Sequence, residues 1–109
     1  MLSDEQHYQL LKALEDNPNT SQRELAREVG YSLGKINYCL QALKSKGLVK
    51  AENFRNSTNK TAYLYKLTPA GISEKATITR RFLSQKLEEH EQLAREIETL
   101  KQEVAEQTQ

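Results

Sequence analysis

The chain has 109 residues, enough for one small domain and an extension. Charged residues make up 28% of it and mean hydropathy is −0.79, which leaves a small core and no stretch apolar enough to cross a membrane. Its 16 basic and 15 acidic residues nearly cancel, the opening MLSDEQHYQL has neither the basic start nor the apolar run of a signal peptide, and the single cysteine, Cys39, permits no internal disulfide and no cysteine-built zinc site.

Ser3 caps a first helix, with Asp4 and Glu5 suited to its positive end. Tyr8, Leu11 and Leu14, with or without Leu10, form its apolar face, and His7 reads as a solvated residue. The helix should stop near Asn17, because Pro18 disfavours helix before it. Thr20, after the turn Asp16–Asn19, is placed to join a very short edge strand.

The stretch SQRELAREVGYSLGKINYCLQALKSKGL, residues 21–48, organises the rest. Ser21 and Glu24 make the S-x-x-E of a capping box, followed by Leu25, Ala26 and Val29 at helical spacing. Gly30 supplies the left-handed residue that ends this helix. Ser32 caps a second helix anchored by Leu33, Ile36, Leu40 and Leu43, and Gly47 stops it. Two helices joined by a short Gly-containing turn make a helix-turn-helix, whose second helix enters the DNA major groove.

The outer side of that second helix presents Gly34, Lys35, Tyr38, Gln41, Ala42 and Ser45, with Asn37 on the flank. Small residues let a helix sit deep in a groove. Lys35 suits phosphate or guanine, Gln41 adenine, and Tyr38 a phosphate or a thymine methyl. The plainer alternative is an amphipathic helix with a solvated face. Charge distribution speaks against it: residues 30–66 hold seven basic groups (Lys35, Lys44, Lys46, Lys50, Arg55, Lys60, Lys66) and only Glu52 opposing them. A polyanionic partner explains that segment. Cys39, between the core and outer faces, reads as an inert small hydrophobe rather than a redox switch.

After Gly47 the period changes. Residues 48–54 and 61–67 read as two strands around the polar cluster Asn56–Asn59, a hairpin with Arg55 and Lys60 near its tip. Beside a recognition helix such a hairpin is a wing, its tip cations placed for the minor groove or flanking phosphates; a hairpin with charged, aggregation-blocking edges is the alternative. The candidate DNA-binding set is therefore Ser32, Gly34, Lys35, Asn37, Tyr38, Gln41, Lys44, Lys46, Arg55 and Lys60.

Thr68-Pro69 starts a last helix, with Gly71 an early weak point and Thr77–Thr79 a possible break. As one straight helix, residues 69–107 would span roughly 58 Å, too long to fold onto so small a domain. Leu83, His90, Ile97 and Val104 fall at heptad position a, and Lys86, Leu93 and Leu100 at d. Such a seam needs a partner helix, most simply a second copy. The expected dimerisation set is Leu83, Leu87, His90, Leu93, Ile97, Leu100 and Val104, with Arg80, Arg81 or Arg95 pairing to acids of the mate. A tail folded back on its own domain is the alternative. His90 at an a position reads as a tolerated polar residue before it reads as a pH sensor, and residues 106–109 are expected to fray. The expected fold is mainly α with a small β-hairpin, a winged helix-turn-helix over 1–68 followed by a long C-terminal dimerisation helix over 69–109. Two distant histidines and one cysteine offer no metal site, cofactor site or nucleophile–base pair, so an enzyme is not expected.

RELAREVGYSLGKINYCLQALKSKGLVK, with its ELA helix, serine-capped helix and GLV strand, resembles the winged helix-turn-helix regulators of bacteria. YLYKLTPAGI resembles the end of a wing running into the LTPxG of MarR-like proteins, and the small exopolysaccharide-associated MarR type is the nearest likeness. The resemblance spans about residues 5–100. It implies a homodimeric repressor or activator that binds specific double-stranded DNA near polysaccharide genes, with an unknown effector; the opening residues and low hydropathy point to a cytoplasmic chain with no membrane partner, and no cofactor is expected. The chain departs from larger MarR proteins in lacking a long N-terminal helix, which leaves dimerisation to the tail alone, as in PadR-like regulators, and puts the usual effector pocket in doubt. A winged protein–protein interaction module with a coiled-coil tail is the alternative function.

Overall fold

The elements run α1 (Asp4–Asp16), α2 (Gln22–Val29), α3 (Leu33–Ser45), β1 (Val49–Arg55), β2 (Thr61–Leu67) and α4 (Pro69–Gln107). They come from a computed structural model that describes residues 2–55 and 61–108, the side chains of 54, 55, 61 and 62 excepted. The fold is mainly helical, with one two-stranded antiparallel hairpin, as expected from the sequence.

Each helix begins where its capping chemistry sits. The Ser3 hydroxyl accepts from the Gln6 N–H at 3.2 Å while the Gln6 side chain accepts from the Ser3 N–H at 3.1 Å, a complete capping box. At α2 only half of the expected box forms. Ser21 accepts from Glu24 N–H, but the Glu24 carboxylate turns to the Thr20 hydroxyl instead. Gly30 ends α2 at φ +77°, a backbone angle that residues with a Cβ rarely adopt.

Leu10, Leu11 and Leu14 of α1, Leu25 of α2, and Ile36 and Leu40 of α3 are essentially sealed from water, and Val49 and Tyr65 close the core from the hairpin. Full burial of each large aliphatic side chain contributes roughly 1.5–3 kcal/mol before entropy is counted. Thr20 and Tyr65 exchange backbone hydrogen bonds (3.2 and 2.8 Å), so Thr20 adds the short third strand expected at that position. Register pairs Val49 with Leu67 and Ala51 with Tyr65, which turns alternate side chains inward.

Two expectations for α4 are corrected. The helix is unbroken through Thr77–Thr79, because Ile78 inserts fully into the core and anchors the turn that was to break. Helix also persists to Gln107 rather than fraying from Glu106. α1 runs antiparallel to the first turns of α4 and staples them. Lys75 pairs with Glu15 at 3.0 Å, the Phe82 and Tyr8 rings lie 5.2 Å apart, and Arg81 forks onto Asp4 at 2.8 and 2.9 Å. Gln85 adds a bond to the same carboxylate at 3.0 Å. Arg81 therefore answers its own chain, not the acids of a mate. Beyond Gln85 every described residue of α4 is exposed, and the molecule is drawn out to 76 × 27 × 22 Å. No described helix is long and apolar enough to cross a membrane.

Candidate nucleic-acid interface

α3 is held by its buried face and by its N-terminus. Ile36, Cys39, Leu40 and Leu43 pack inward. The Ser32 hydroxyl accepts from Lys35 N–H at 3.1 Å, and Gln22 of α2 donates through Nε2 to the Leu33 carbonyl at 3.1 Å, pinning the two helices of the motif together. The Gln22 bond is not legible from local pattern, since it joins residues on different helices through a side-chain amide. Leu33, expected among the anchors, is 43% exposed. It sits in the first turn, past the edge of the core, and Cys39 takes its place on the buried face. Burial pushes the Cys39 thiol above its ordinary pKa and keeps it protonated, as an inert hydrophobe would be.

The remaining candidates on α3 are all solvent-exposed: Gly34, Lys35, Asn37, Tyr38, Gln41 and Lys44, with Ser32 at the N-cap and Lys46 at the C-cap. Tyr38 is the most open large side chain of the helix, at 70%. The Lys35 ammonium lies 4.1 Å from the centroid of the Tyr31 ring, which packs against the core from the turn before α3. That contact holds a long cation near the start of the helix instead of leaving it to sweep through solvent. The residues of this outer face stay exposed, since α4 packs on α1; at one edge Tyr38, Ala42 and Lys46 line an open cleft shared with Glu74 and Arg81 of α4.

The wing is described only in part. Arg55 ends β1, with its side chain outside the described residues; Lys60 and the expected turn at 56–59 lie outside them altogether. Nearer the domain, Glu52 is claimed by two lysines, Lys66 at 3.2 Å and Lys50 at 3.4 Å. Hydrogen bonds from Lys66 and then Lys50 hold its carboxyl below the usual range. The one acid in the basic segment is thus spent within the hairpin.

His7 is not simply solvated, as expected. It lines a cleft of about 420 Å³ between α1, α3 and α4, with Lys46, Glu74 and Arg81 around it. Desolvation, then the charge of Lys46, depress its pKa, while Glu74 and Asp4 oppose them.

A family model described as winged helix-turn-helix DNA-binding matches residues 3–50. No curated protein sequence matches the chain. Among solved structures, the PcaV transcriptional regulator of Streptomyces coelicolor is 23% identical at a TM-score of 0.64, over 74% of this chain and 58% of that one. The transcriptional repressor CouR, bound to a 23-mer DNA duplex, is 25% identical at a TM-score of 0.57, over 67% of this chain and 50% of its own. A MarR family transcription regulator is 18% identical at 0.63, over 75% and 53%. The chain spans between 50% and 60% of the length of the first three structures it matches. Residues 3–50 thus carry the winged helix-turn-helix of DNA-binding proteins, and the chain has the fold of the MarR-like transcriptional regulators.

Proposed function

We propose that the chain is a homodimeric, sequence-specific double-stranded DNA-binding transcriptional regulator. The uncovered outer face of α3, lined by small residues and flanked by Lys35, Lys44 and Lys46, is the observation that carries this reading. Two recognition helices entering successive major grooves require half-sites about 10 bp apart, or a multiple of that, in an inverted repeat. Lys44 and Lys46, with Arg55 and Lys60 of the wing, supply mostly phosphate contacts; Lys35, Asn37, Tyr38 and Gln41 read base edges. Capture of CouR on a DNA duplex supports the same use of the fold here.

Residues 1–68 are the DNA-binding part and residues 69–109 the dimerisation part of this reading. The exposed leucines of α4 support it: Leu83, Leu87, Leu93 and Leu100 are all more than half exposed on a helix with no other described contact beyond Gln85. A lone charged helix of that kind gains most of its stability from a partner. The likeness to exopolysaccharide-associated regulators supports operators near polysaccharide genes. Genomic pull-down of bound DNA, followed by anisotropy titrations on the recovered duplex at several salt concentrations, tests the assignment. Specific binding with a steep salt dependence is expected; failure to enrich any sequence over bulk DNA overturns it.

A further inference from the structure

The apolar row on α4 does not begin in the free tail. With Leu83 at heptad position a, the heptad register runs backward through half-buried Thr79 at d and Ala76 at a to Ile72 at d, in the first turns of the helix. Ile72 is 51% exposed. The domain-facing turns use other positions, Gly71, Lys75, Ile78 and Phe82, which lie on a different side of the helix. From Ile72 to Val104 the seam covers about 48 Å.

We propose that this seam pairs two copies in parallel and in register over its whole length. The two winged domains then sit at one end, related by a two-fold axis along the tail. The inference rests on the homodimer proposed above and adds its polarity and its extent.

Residue types set the number of strands. The last two heptads place β-branched Ile97 and Val104 at a and leucines, Leu93 and Leu100, at d. Among parallel assemblies this distribution favours two strands over three or four. Lys86 at d and His90 at a are polar layers, which fix register at some cost in stability. The Lys86 ammonium is already drawn out of the seam by Glu89 at 3.1 Å.

Flanking charges point the same way on balance. In the parallel pair, g faces e of the second copy, so Glu96 meets Lys101, while Lys75, already paired with Glu15 of its own chain, meets Arg80. In the antiparallel register that sets Leu83 opposite Leu100, Glu96 meets Glu89 and Lys101 meets Arg80. Both of these charged contacts occur twice and both are between like charges; the other flanking pairs, Phe82 with Glu103 and Leu87 with Ala94, bring no charges together. Single exposed ion pairs contribute little, but only the parallel register gains an attractive one.

Val104→Cys in the full-length chain separates the outcomes. A parallel in-register pair brings the two position-104 α-carbons within the roughly 4.4–6.8 Å that a disulfide spans. The antiparallel register holds them about 37 Å apart along the axis. Mild oxidation should convert most of the variant to covalent dimer on a non-reducing gel, while the native chain, whose Cys39 is buried, stays monomeric on that gel. A dimer by light scattering that yields no covalent band overturns the parallel pairing and leaves the homodimer. A monomer by light scattering removes both, and a trimer or tetramer overturns two-stranded pairing. Ile72→Asp, at an exposed position the fold does not need, should weaken dimerisation at least tenfold. An unchanged dimerisation constant overturns the claim that pairing starts at the first turn.

Discussion

The Thr68 hydroxyl donates to the backbone carbonyl of Gly47 at 2.6 Å. The same oxygen accepts from Gly71 N–H at 3.1 Å, and Thr68 N–H donates to the Leu48 carbonyl at 3.1 Å. One side chain therefore caps the tail helix and ties its start to Gly47, just past the end of α3. In a dimer built through α4, this clasp transmits the pairing geometry to α3, and so sets the distance between the two recognition helices.

Thr68→Val keeps the shape and removes both hydroxyl bonds. Loss of an N-cap typically costs about 1 kcal/mol, and the orphaned Gly47 carbonyl adds to that. Thermal unfolding should show the loss, and Thr68→Ser should recover most of it. DNA affinity should fall more than stability explains, with binding measured well below the melting transition. Equal affinity of the Val and Ser variants would show that the clasp does not position α3.

Local pattern makes Gly71 a weak point in the tail helix, and the structure assigns it the opposite part. It is buried, and a Cβ there would run into the backbone carbonyl of Leu48. Backbone cannot swing aside as a flexible side chain can. Gly71→Ala should therefore destabilise the domain by about 1–3 kcal/mol, although alanine is the better helix former on an open helix. A denaturant titration that found the variant more stable would show that Leu48 shifts freely.

Most of the fold was legible because its signals are local. Caps at Ser3, Ser21, Ser32 and Thr68, the stop at Gly30 and the change of period after Gly47 each lie within a few residues of what they control. What stayed hidden joins residues far apart in the chain. Nothing near Asp4 announces Arg81, 77 positions away, and nothing near Gly71 announces Leu48. Ile78 looked like part of a β-branched interruption because Thr77 and Thr79 flank it; burial under α1 overrides that local preference. On α3 the face assignment followed from period alone, and its one error, Leu33, fell in the terminal turn, where the core runs out.

The two sides of the proposed interface predict different kinds of defect. Gln41→Ala and Lys35→Ala should change which sequence is preferred, by about 1–3 kcal/mol at single base positions. Lys44→Ala should weaken binding to all duplexes alike and flatten the salt dependence by roughly one unit of slope. Titrations of each variant on the preferred duplex and on single-base variants, at three or more salt concentrations, distinguish these outcomes. A Lys44 variant that altered base preference while keeping its salt slope would reverse the assignment of faces.

His7 predicts a dependence on mild acid. Its cleft disfavours the imidazolium first by desolvation and then through Lys46 at the C-cap of α3, with Arg81 on α4 adding to them and Glu74 and Asp4 partly compensating. The folded-state pKa lies below the ordinary 6.5, so the unfolded chain takes up the proton first as pH falls. Stability should therefore decline as pH drops below about 6.5, and the decline should level off once pH passes the folded value. Asp4, whose pKa is lowered by its bond from Arg81, loses its contribution only in stronger acid, below its ordinary 3.8, so the two windows separate. Denaturant melts of the native chain and His7→Gln between pH 7.5 and 5 should diverge with acidification, the variant remaining the flatter. Parallel curves across that range would place the imidazole in ordinary solvent.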